Sequence, residues 1–181
     1  YLVHAAAAEV PVNPVTSIDL NIANGIARSV NEKLASVVVI GWNGATSATQ
    51  RIFGSILDQL LQKIDEMIMV SKIHKPINTV ERVVIAVPPY ASLEPGFSGA
   101  VRSLKLMVDQ IGSTLTVLVP KKRMKHVQDR IRKVKPDIET EFISMDGWGA
   151  LPGWMDKNVH EDDLFVLMSA REGSLSWRPA L

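Results

Sequence analysis

The chain has 181 residues, of which 46% are hydrophobic and 22% charged, a balance that is typical of a globular protein and argues against disorder. The absence of cysteine excludes disulfides, thiolate zinc sites and cysteine nucleophiles, and it suits a reducing compartment. A net charge of +1 gives no general affinity for nucleic acid or membranes. No apolar run reaches the roughly 20 residues of a membrane span, so no transmembrane segment is predicted.

Short β-branched runs alternate with longer amphipathic segments through the first part of the chain, which is typical of a parallel α/β sheet. A proline-interrupted strand is predicted first, then a helix that Asp19 caps, with an apolar stripe of Ile22, Ile26, Val30 and Leu34. The elements predicted here are a strand at Val10–Ile18, a helix from Asp19, a buried strand at Ser36–Gly41, a helix at about Ser47–Ile64 and a strand at Met67–Ile73.

A segment with the composition of a linker, Lys75–Glu81, precedes a second series of the same kind. The buried strands of the two series both break into small polar residues, which indicates a tandem repeat of two domains, residues 1–76 and 77–181. The second series has strands at Arg82–Val87, Thr114–Pro120, Ile138–Met145 and Asp163–Ala170, helices at about Gly99–Ile111 and Lys121–Lys135, and an irregular segment or short helix at Trp148–Val159.

The strongest functional signal is the spacing Gly41-x2-Gly44-x9-Gly54-Ser55, set between a predicted strand and a predicted helix. Gly41 would let the chain leave the strand without a Cβ atom, and Gly44 would adopt positive φ or leave bare backbone for a ligand. Gly54 would cost a helix interior about 1 kcal/mol relative to alanine, so we expect it to begin the helix, with Ser55 as the cap. Free amides in such a loop, together with a helix N-terminus, suit a phosphate.

Further polar residues lie inside this motif. Thr46 and Ser47 supply hydroxyl groups, Arg51 supplies a cation, and Asn43 lies between the first two glycines. The loop lacks both the Gly-Lys-Ser/Thr ending of a P-loop and the G-x-G-x-x-G dinucleotide fingerprint, so neither of those chemistries is supported. A glycine-rich strand-to-helix crossover with no ligand remains the structural alternative.

The motif and its flanks resemble the universal stress protein family, well over Val10–Ile73 and more loosely, as a second copy, over Arg82–Ala170. The resemblance implies a Rossmann-like open parallel sheet with helices on both faces, in tandem copies that are truncated at both ends. It also implies an adenine nucleotide, ATP or AMP, at the carboxyl ends of the strands. The residues that would contact its phosphate and ribose are Gly41, Gly44, Gly54 and Ser55, with the Ile56 backbone nearby.

The second copy departs from the family pattern. Pro88 stands where the adenine-binding aspartate of the family is expected, at the end of the copy's first strand. Ser169 and Glu172 stand where the motif glycines are expected. We therefore interpret the second copy as a scaffold rather than a binding site.

A narrower likeness concerns the segments VPVNPVTSIDLNIANGIARS, VIGWNGATSATQRIFGSILDQLL, INTVERVVIAVPP and EPGF. Together they resemble the cytosolic tail of bacterial cation:proton antiporters, in which tandem domains of this kind follow a membrane transporter. The likeness implies a non-catalytic regulatory domain, homodimeric and at the cytoplasmic face of the bacterial inner membrane, with a transmembrane antiporter domain upstream. The chain begins at Tyr1 and ends at Leu181 without natural termini, so both ends are expected to be cut. A free-standing ATP-binding universal stress protein and a structural dimerisation module with an empty site are the alternatives.

Other features give weaker signals. The basic helix Lys121–Lys135 is most simply a solvated face, with weak contact to anionic lipid as the functional alternative. Specific nucleic-acid binding is not expected, because no aromatic residues interleave for base stacking. Trp42 could stack on a base or pack against another subunit. No enzyme activity is expected, because no serine has a recognisable histidine partner, and no metal site, because the four histidines are scattered singly: His4, His74, His126 and His160.

Overall fold

A computed structural model describes residues 11–42 and 48–178, with residues 48–55 described as helical backbone only. The chain divides into two compact units, Tyr1–Lys72 and Ile73–Leu181, each with its own parallel sheet. The predicted α/β fold with parallel strands is confirmed.

The first unit contains two helices and a two-stranded sheet within its described residues. The strands pair in parallel from Val37 opposite Met67 to Gly41 opposite Ser71, as a helical crossover between them requires. The elements in chain order are α1 (Ile22–Lys33), β1 (Val37–Gly41), α2 (Ala48–Lys63) and β2 (Met67–Ser71).

Both helices of the first unit cover the same face of its sheet. The buried core of this face consists of Ala23, Ala27, Val30, Leu60 and Ile64, and Val38, Ile40 and Ile68 of the strands pack against it. Alternate strand residues point the other way, so Val39 is 65% exposed. The predicted buried strand Ser36–Gly41 thus packs on the core through one face only. Within the described residues its other face is exposed, so the prediction of burial is wrong for that face.

The segment before α1 is not the predicted strand. Residues 11–18 have no regular secondary structure, because Pro11 and Pro14 have no N–H group to donate to a neighbouring strand. Helix α1 then begins at Ile22, and Asn21 is its N-cap, with Oδ1 accepting from the Asn24 amide at 3.1 Å. Asp19 is not the cap.

The buried side of α1 also differs from the predicted stripe. Ile22 and Leu34 are 61% and 89% exposed, and Leu34 has a left-handed conformation just after the helix. Small residues form the buried side instead: Ala23, Gly25 and Ala27, with Val30. Side chains of this size allow α1 to lie close to α2 and the sheet.

Helix α2 runs without interruption through Gly54, which is its seventh residue. The expectation that Gly54 begins the helix and that Ser55 caps it is therefore wrong. A glycine in a helix interior costs about 1 kcal/mol, whereas a fully buried leucine or isoleucine contributes roughly 1.5–3 kcal/mol. Burial of Leu60 on this helix, and of Ile64 directly after its last residue, is enough to carry α2 through Gly54.

The second unit is a four-stranded parallel sheet in the order β5-β4-β3-β6. Its helices are α3 and α4 between the first three strands, and α5 before the last strand. The elements are β3 (Arg82–Ala86), α3 (Phe97–Ile111), β4 (Thr114–Pro120), α4 (Met124–Arg132), β5 (Thr140–Met145), α5 (Leu151–Asn158) and β6 (Asp163–Leu167).

The helices of this sheet lie on both faces. Strands β4 and β5 follow β3 towards one edge of the sheet, whereas β6 lies on the other side of β3. Because crossovers between parallel strands are right-handed, α5 lies on the opposite face of the sheet from α3 and α4. Leu151 of α5 packs with Val84, Ala86 and Leu118. On the other side, Lys105 of α3 is buried and donates through Nζ to the carbonyls of Ile131 (3.2 Å) and Val134 (2.6 Å), at the end of α4.

Candidate functional site

The glycine motif begins at the carboxyl edge of the first sheet. Gly41 is the last residue of β1 and lies opposite Ser71, the last residue of β2. The Trp42 amide donates to the Ser71 carbonyl at 2.6 Å, and Ser71 Oγ donates to the Ile40 carbonyl at 3.3 Å. These bonds hold the two strands together up to the point where the motif leaves the sheet.

Gly41 is not crowded by any described atom at this edge. Its φ angle is not in the left-handed region, and a Cβ atom built on it would meet no described atom within 4 Å. Neither backbone conformation nor packing within the described residues therefore requires glycine here. No described atom fills this position, which lies at the carboxyl edge where open α/β sheets bind ligands.

The remaining motif residues connect this edge to α2. Asn43, Gly44, Thr46 and Ser47 lie outside the described residues, and the side chains of Arg51, Gly54 and Ser55 are not described. Because α2 joins two parallel strands, its N-terminus lies at their carboxyl edge, with the first backbone N–H groups unpaired by the helix. Such an end attracts anions.

Ile56 directly follows the motif and is half-buried against the core of the first unit. The side chain therefore stabilises the packing of α2 on the sheet. A contact between its backbone and a nucleotide stays a prediction.

Polar contacts that the sequence did not indicate fix α2 to α1. Asn21, which caps α1, also donates through Nδ2 to Gln59 Oε1 of α2 at 2.9 Å. Arg28 of α1 donates to Ser17 Oγ at 2.7 Å and pairs with Asp19 at 3.2 Å. These contacts hold α2 and the segment before α1 in place, and only proximity in the folded chain reveals them.

Residues 2–72 match the model of the Universal stress protein family. The match coincides with the first compact unit, Tyr1–Lys72. It covers less than half of the chain, and the second unit lies outside it. No curated protein and no solved structure matches the chain. The resemblance of the first half to universal stress proteins is confirmed, while a second copy and the antiporter context stay predictions.

The second unit has a carboxyl edge of its own, at the ends of β3 and β6. Strand order reverses between these two strands, which is the place where open α/β sheets bind ligands. Pro88 lies here, where universal stress proteins are expected to carry an aspartate, and its carbonyl accepts from the Ala91 amide at 3.2 Å. A proline offers no carboxylate to an adenine base.

The chain's own residues 175–178 lie against the loop that follows β3. Glu94 Oε1 accepts hydrogen bonds from both the amide and the hydroxyl of Ser176, each at 2.8 Å, and Ser176 is 1% exposed. Tyr90 adopts a left-handed conformation with φ of 70°, and the guanidinium carbons of Arg123 and Arg178 lie 4.1 and 5.9 Å from its ring centroid. Contacts within the unit thus cover this edge.

The turn after β6 is also built differently from the glycine motif. Glycine is needed at Gly173, where φ is +86°, rather than at the positions of Ser169 and Glu172. The Ser174 amide donates to the Arg171 carbonyl at 3.0 Å and closes the turn. A scaffold role for the second unit stays the interpretation that this chemistry favours.

An ion pair in which arginine binds both carboxylate oxygens lies at the opposite, amino edge of the second sheet. Arg82 donates to both carboxylate oxygens of Asp163, at 2.9 and 2.5 Å, and to the Asn158 carbonyl at 2.6 Å. Burial alone would raise the pKa of Asp163, but hydrogen bonds from Arg82 and the His160 amide outweigh it and hold that pKa below its usual value. This position, away from the carboxyl edge, makes the pair structural.

The side chains of the described residues also bear on two further possibilities, a metal centre and a membrane span. No cluster of histidine and acidic side chains in them could hold a metal ion. None of the helices described is long and apolar enough to cross a membrane.

Proposed function

We propose that the first unit binds an adenine nucleotide, ATP or AMP, at its carboxyl edge and does not catalyse a reaction. The observation that carries this proposal is the position of Gly41, which no described atom crowds, at the end of a parallel strand whose connection leads to the N-terminus of α2. The family match over residues 2–72 supports it. In this proposal the loop amides and the α2 N-terminus bind phosphate, while Thr46, Ser47 and Arg51 supply further donors.

We further propose that this unit regulates a cation:proton antiporter at the cytoplasmic face of a bacterial inner membrane. The support is the resemblance of the segments beginning at Val10, Val39 and Ile77 to antiporter tails. Nucleotide occupancy would shift the packing of α1 and α2, and by reciprocity the state of the transporter would change nucleotide affinity. A long series of apolar spans encoded upstream of Tyr1 would support this context, whereas an initiating methionine close by would favour a free-standing stress protein.

Calorimetry of the full chain with ATP and with AMP tests nucleotide binding. We expect binding at or below millimolar nucleotide, and a loss of affinity of at least about tenfold in Gly41→Asp relative to Gly41→Asn, because the carboxylate repels phosphate across a few ångströms. Both variants should fold, since no described atom crowds this position. Absence of heat for the unaltered chain at millimolar nucleotide would overturn the proposal. Equal affinities for the two variants would place the phosphate elsewhere.

Dimerisation is a second candidate, because the outer face of the first sheet carries Val39 at 65% exposure and no described helix covers it. A structural dimerisation module would show a dimer by light scattering and no heat with nucleotide. A monomer at micromolar concentration would exclude that role.

A further inference from the structure

Positive charge in the second unit is concentrated in the segment Lys121–Lys135. This segment carries eight of the chain's twenty Lys and Arg residues and one of its nineteen Asp and Glu residues. The structure folds it as a tight turn, Lys121–Arg123, followed by α4, whose buried side consists of Val127 and Ile131. The basic surface, as we define it, comprises the exposed residues Lys121, Lys122, Lys125, Arg132 and Lys133.

The lysines of the basic surface are not neutralised by the protein. None of the four lysines forms an ion pair within the described residues. The nearest pair in the sequence joins Lys135 to Asp137, outside the surface. Asp129 shares the outward side of α4, three or four residues from Lys125, Arg132 and Lys133, and is the single acid among them. The surface therefore has a large excess of positive charge available to a partner.

The lysines of the basic surface at the N-terminus of α4 are in an unfavourable position for the helix itself. A helix N-terminus carries a partial positive charge, and acidic residues usually occupy its first turn. Helix α4 has no acid in its first turn, and Lys121, Lys122, Arg123 and Lys125 lie at or just before it. Arg123 stacks on Tyr90, but the three lysines have no such partner in the described residues. An anionic partner would remove this electrostatic cost.

Exposed leucines lie at the same end of the second unit. Leu93 is 53% exposed and ends a short turn that contacts α4. Leu175 is 59% exposed, and its carbonyl accepts from Arg178, the second arginine at Tyr90. Apolar side chains beside lysines are what a surface needs to bind at the boundary between lipid headgroups and acyl chains. Nucleic acid fits less well, because no exposed aromatic residue interrupts the cations to stack on bases.

We propose that the basic surface, together with Leu93 and Leu175, docks the second unit on an anionic lipid bilayer. The lysines bind lipid phosphate and carboxylate groups, and the two leucines enter the headgroup region. This surface belongs to the second unit, and its function does not depend on nucleotide binding by the first.

Co-sedimentation of the full chain with vesicles tests the proposal. The vesicles contain phosphatidylcholine alone, or phosphatidylcholine with about 30% phosphatidylserine. We expect binding to the anionic vesicles only, with strong weakening between about 0.1 and 0.5 M salt, because screening shortens the reach of the charges. A short double-stranded oligonucleotide at the same salt concentration is the comparison partner.

Charge variants give the matched control. The triple variant Lys121→Ala, Lys122→Ala and Lys125→Ala should lower the partition coefficient by about fivefold for each lysine, or about a hundredfold together. A second triple variant removes the same charge at exposed lysines elsewhere, Lys33, Lys72 and Lys157, and should bind almost as well as the unaltered chain. Asp129→Asn should bind more tightly by about fivefold, because it removes the acid from the surface.

Three results would overturn the proposal. The first is absence of binding to anionic vesicles at low salt concentration. The second is an equal loss in the two triple variants, since that would be an effect of net charge alone. The third is tight binding of the oligonucleotide with no binding of vesicles. Circular dichroism of each variant separates loss of the surface from loss of the fold, and Asp129→Asn tests the surface by a gain of binding that misfolding cannot produce.

Discussion

At the scale of single residues, the buried carboxylate of Asp163 shows how the chain stabilises an ion pair inside a sheet. Asp163 and Arg82 lie opposite each other on adjacent strands, and the Asp163 side chain is 5% exposed. The cost of its burial is offset because the guanidinium binds both oxygens and the His160 amide donates a further bond. The pair therefore joins the first residues of β3 and β6 at the amino edge of the sheet.

This pair predicts a pH dependence of stability. The pKa of Asp163 is lowered in the folded protein, so its contribution is present above the unfolded value of about 4 and is lost as the pH falls through the lower folded value. At pH 7, Asp163→Asn should lower the free energy of unfolding by roughly 2–3 kcal/mol, because it leaves a partly buried arginine without its partner. Urea denaturation between pH 7 and pH 2 measures the difference, which should shrink towards low pH.

The neighbouring residue gives the control for this experiment. Asp162 pairs with Lys75 at 2.9 Å, but both side chains are about half exposed or more. Asp162→Asn should therefore change stability by less than about 1 kcal/mol at any pH. A destabilisation by Asp163→Asn that stays the same from pH 7 to pH 2 would contradict the role of its ionised form.

At the scale of elements, α2 combines two demands that conflict at Gly54. The helix is continuous, so alanine at this position should raise the free energy of unfolding by about 0.5–1 kcal/mol. The same glycine belongs to the motif that we propose for phosphate binding, where a Cβ atom would keep the ligand away from the backbone. Gly54→Ala should therefore stabilise the first unit and weaken nucleotide binding, which thermal denaturation and calorimetry measure separately. Higher stability with unchanged affinity would assign Gly54 to the helix alone.

Several elements were predictable from the sequence because local signals agree there. Strand β4 has the predicted bounds, Thr114–Pro120, since its apolar β-branched run is enclosed by a serine and a lysine-rich turn. The strand predicted at Val10–Ile18 failed because its prolines remove hydrogen-bond donors. The apolar spacing predicted α2 at about Ser47–Ile64, close to its bounds of Ala48–Lys63. The later start expected from Gly54 was wrong because helix propensity is a weak signal compared with the burial of Leu60 and Ile64.

The candidate site was predictable only in part, for a different reason. The glycine spacing is local, so the sequence alone indicated a ligand at the end of β1. Contacts between distant segments give no local signal: Glu94 and Ser176, 82 residues apart, meet only in the folded chain. The same holds for Asn21 with Gln59, and for Tyr90 with its two arginines.

At the scale of the whole molecule, the net charge of +1 is an average that conceals strong segregation. The segment Lys121–Lys135 is highly basic, whereas the remaining residues carry more acidic than basic side chains. The net charge therefore carries no information on membrane affinity, because it averages over charges that are unevenly distributed. The two units thus offer separate chemistry: a glycine-rich edge in the first and a cationic surface in the second.

The buried lysine that joins α3 to the end of α4 can report how often the second unit opens. Burial lowers the pKa of Lys105, and its ammonium group is enclosed by carbonyls while most other lysines face water. An amine-reactive reagent would label those exposed lysines first, and it would reach Lys105 only when α3 separates from α4. The rate at which that one amine is labelled would therefore report how often the unit opens, without any engineered probe.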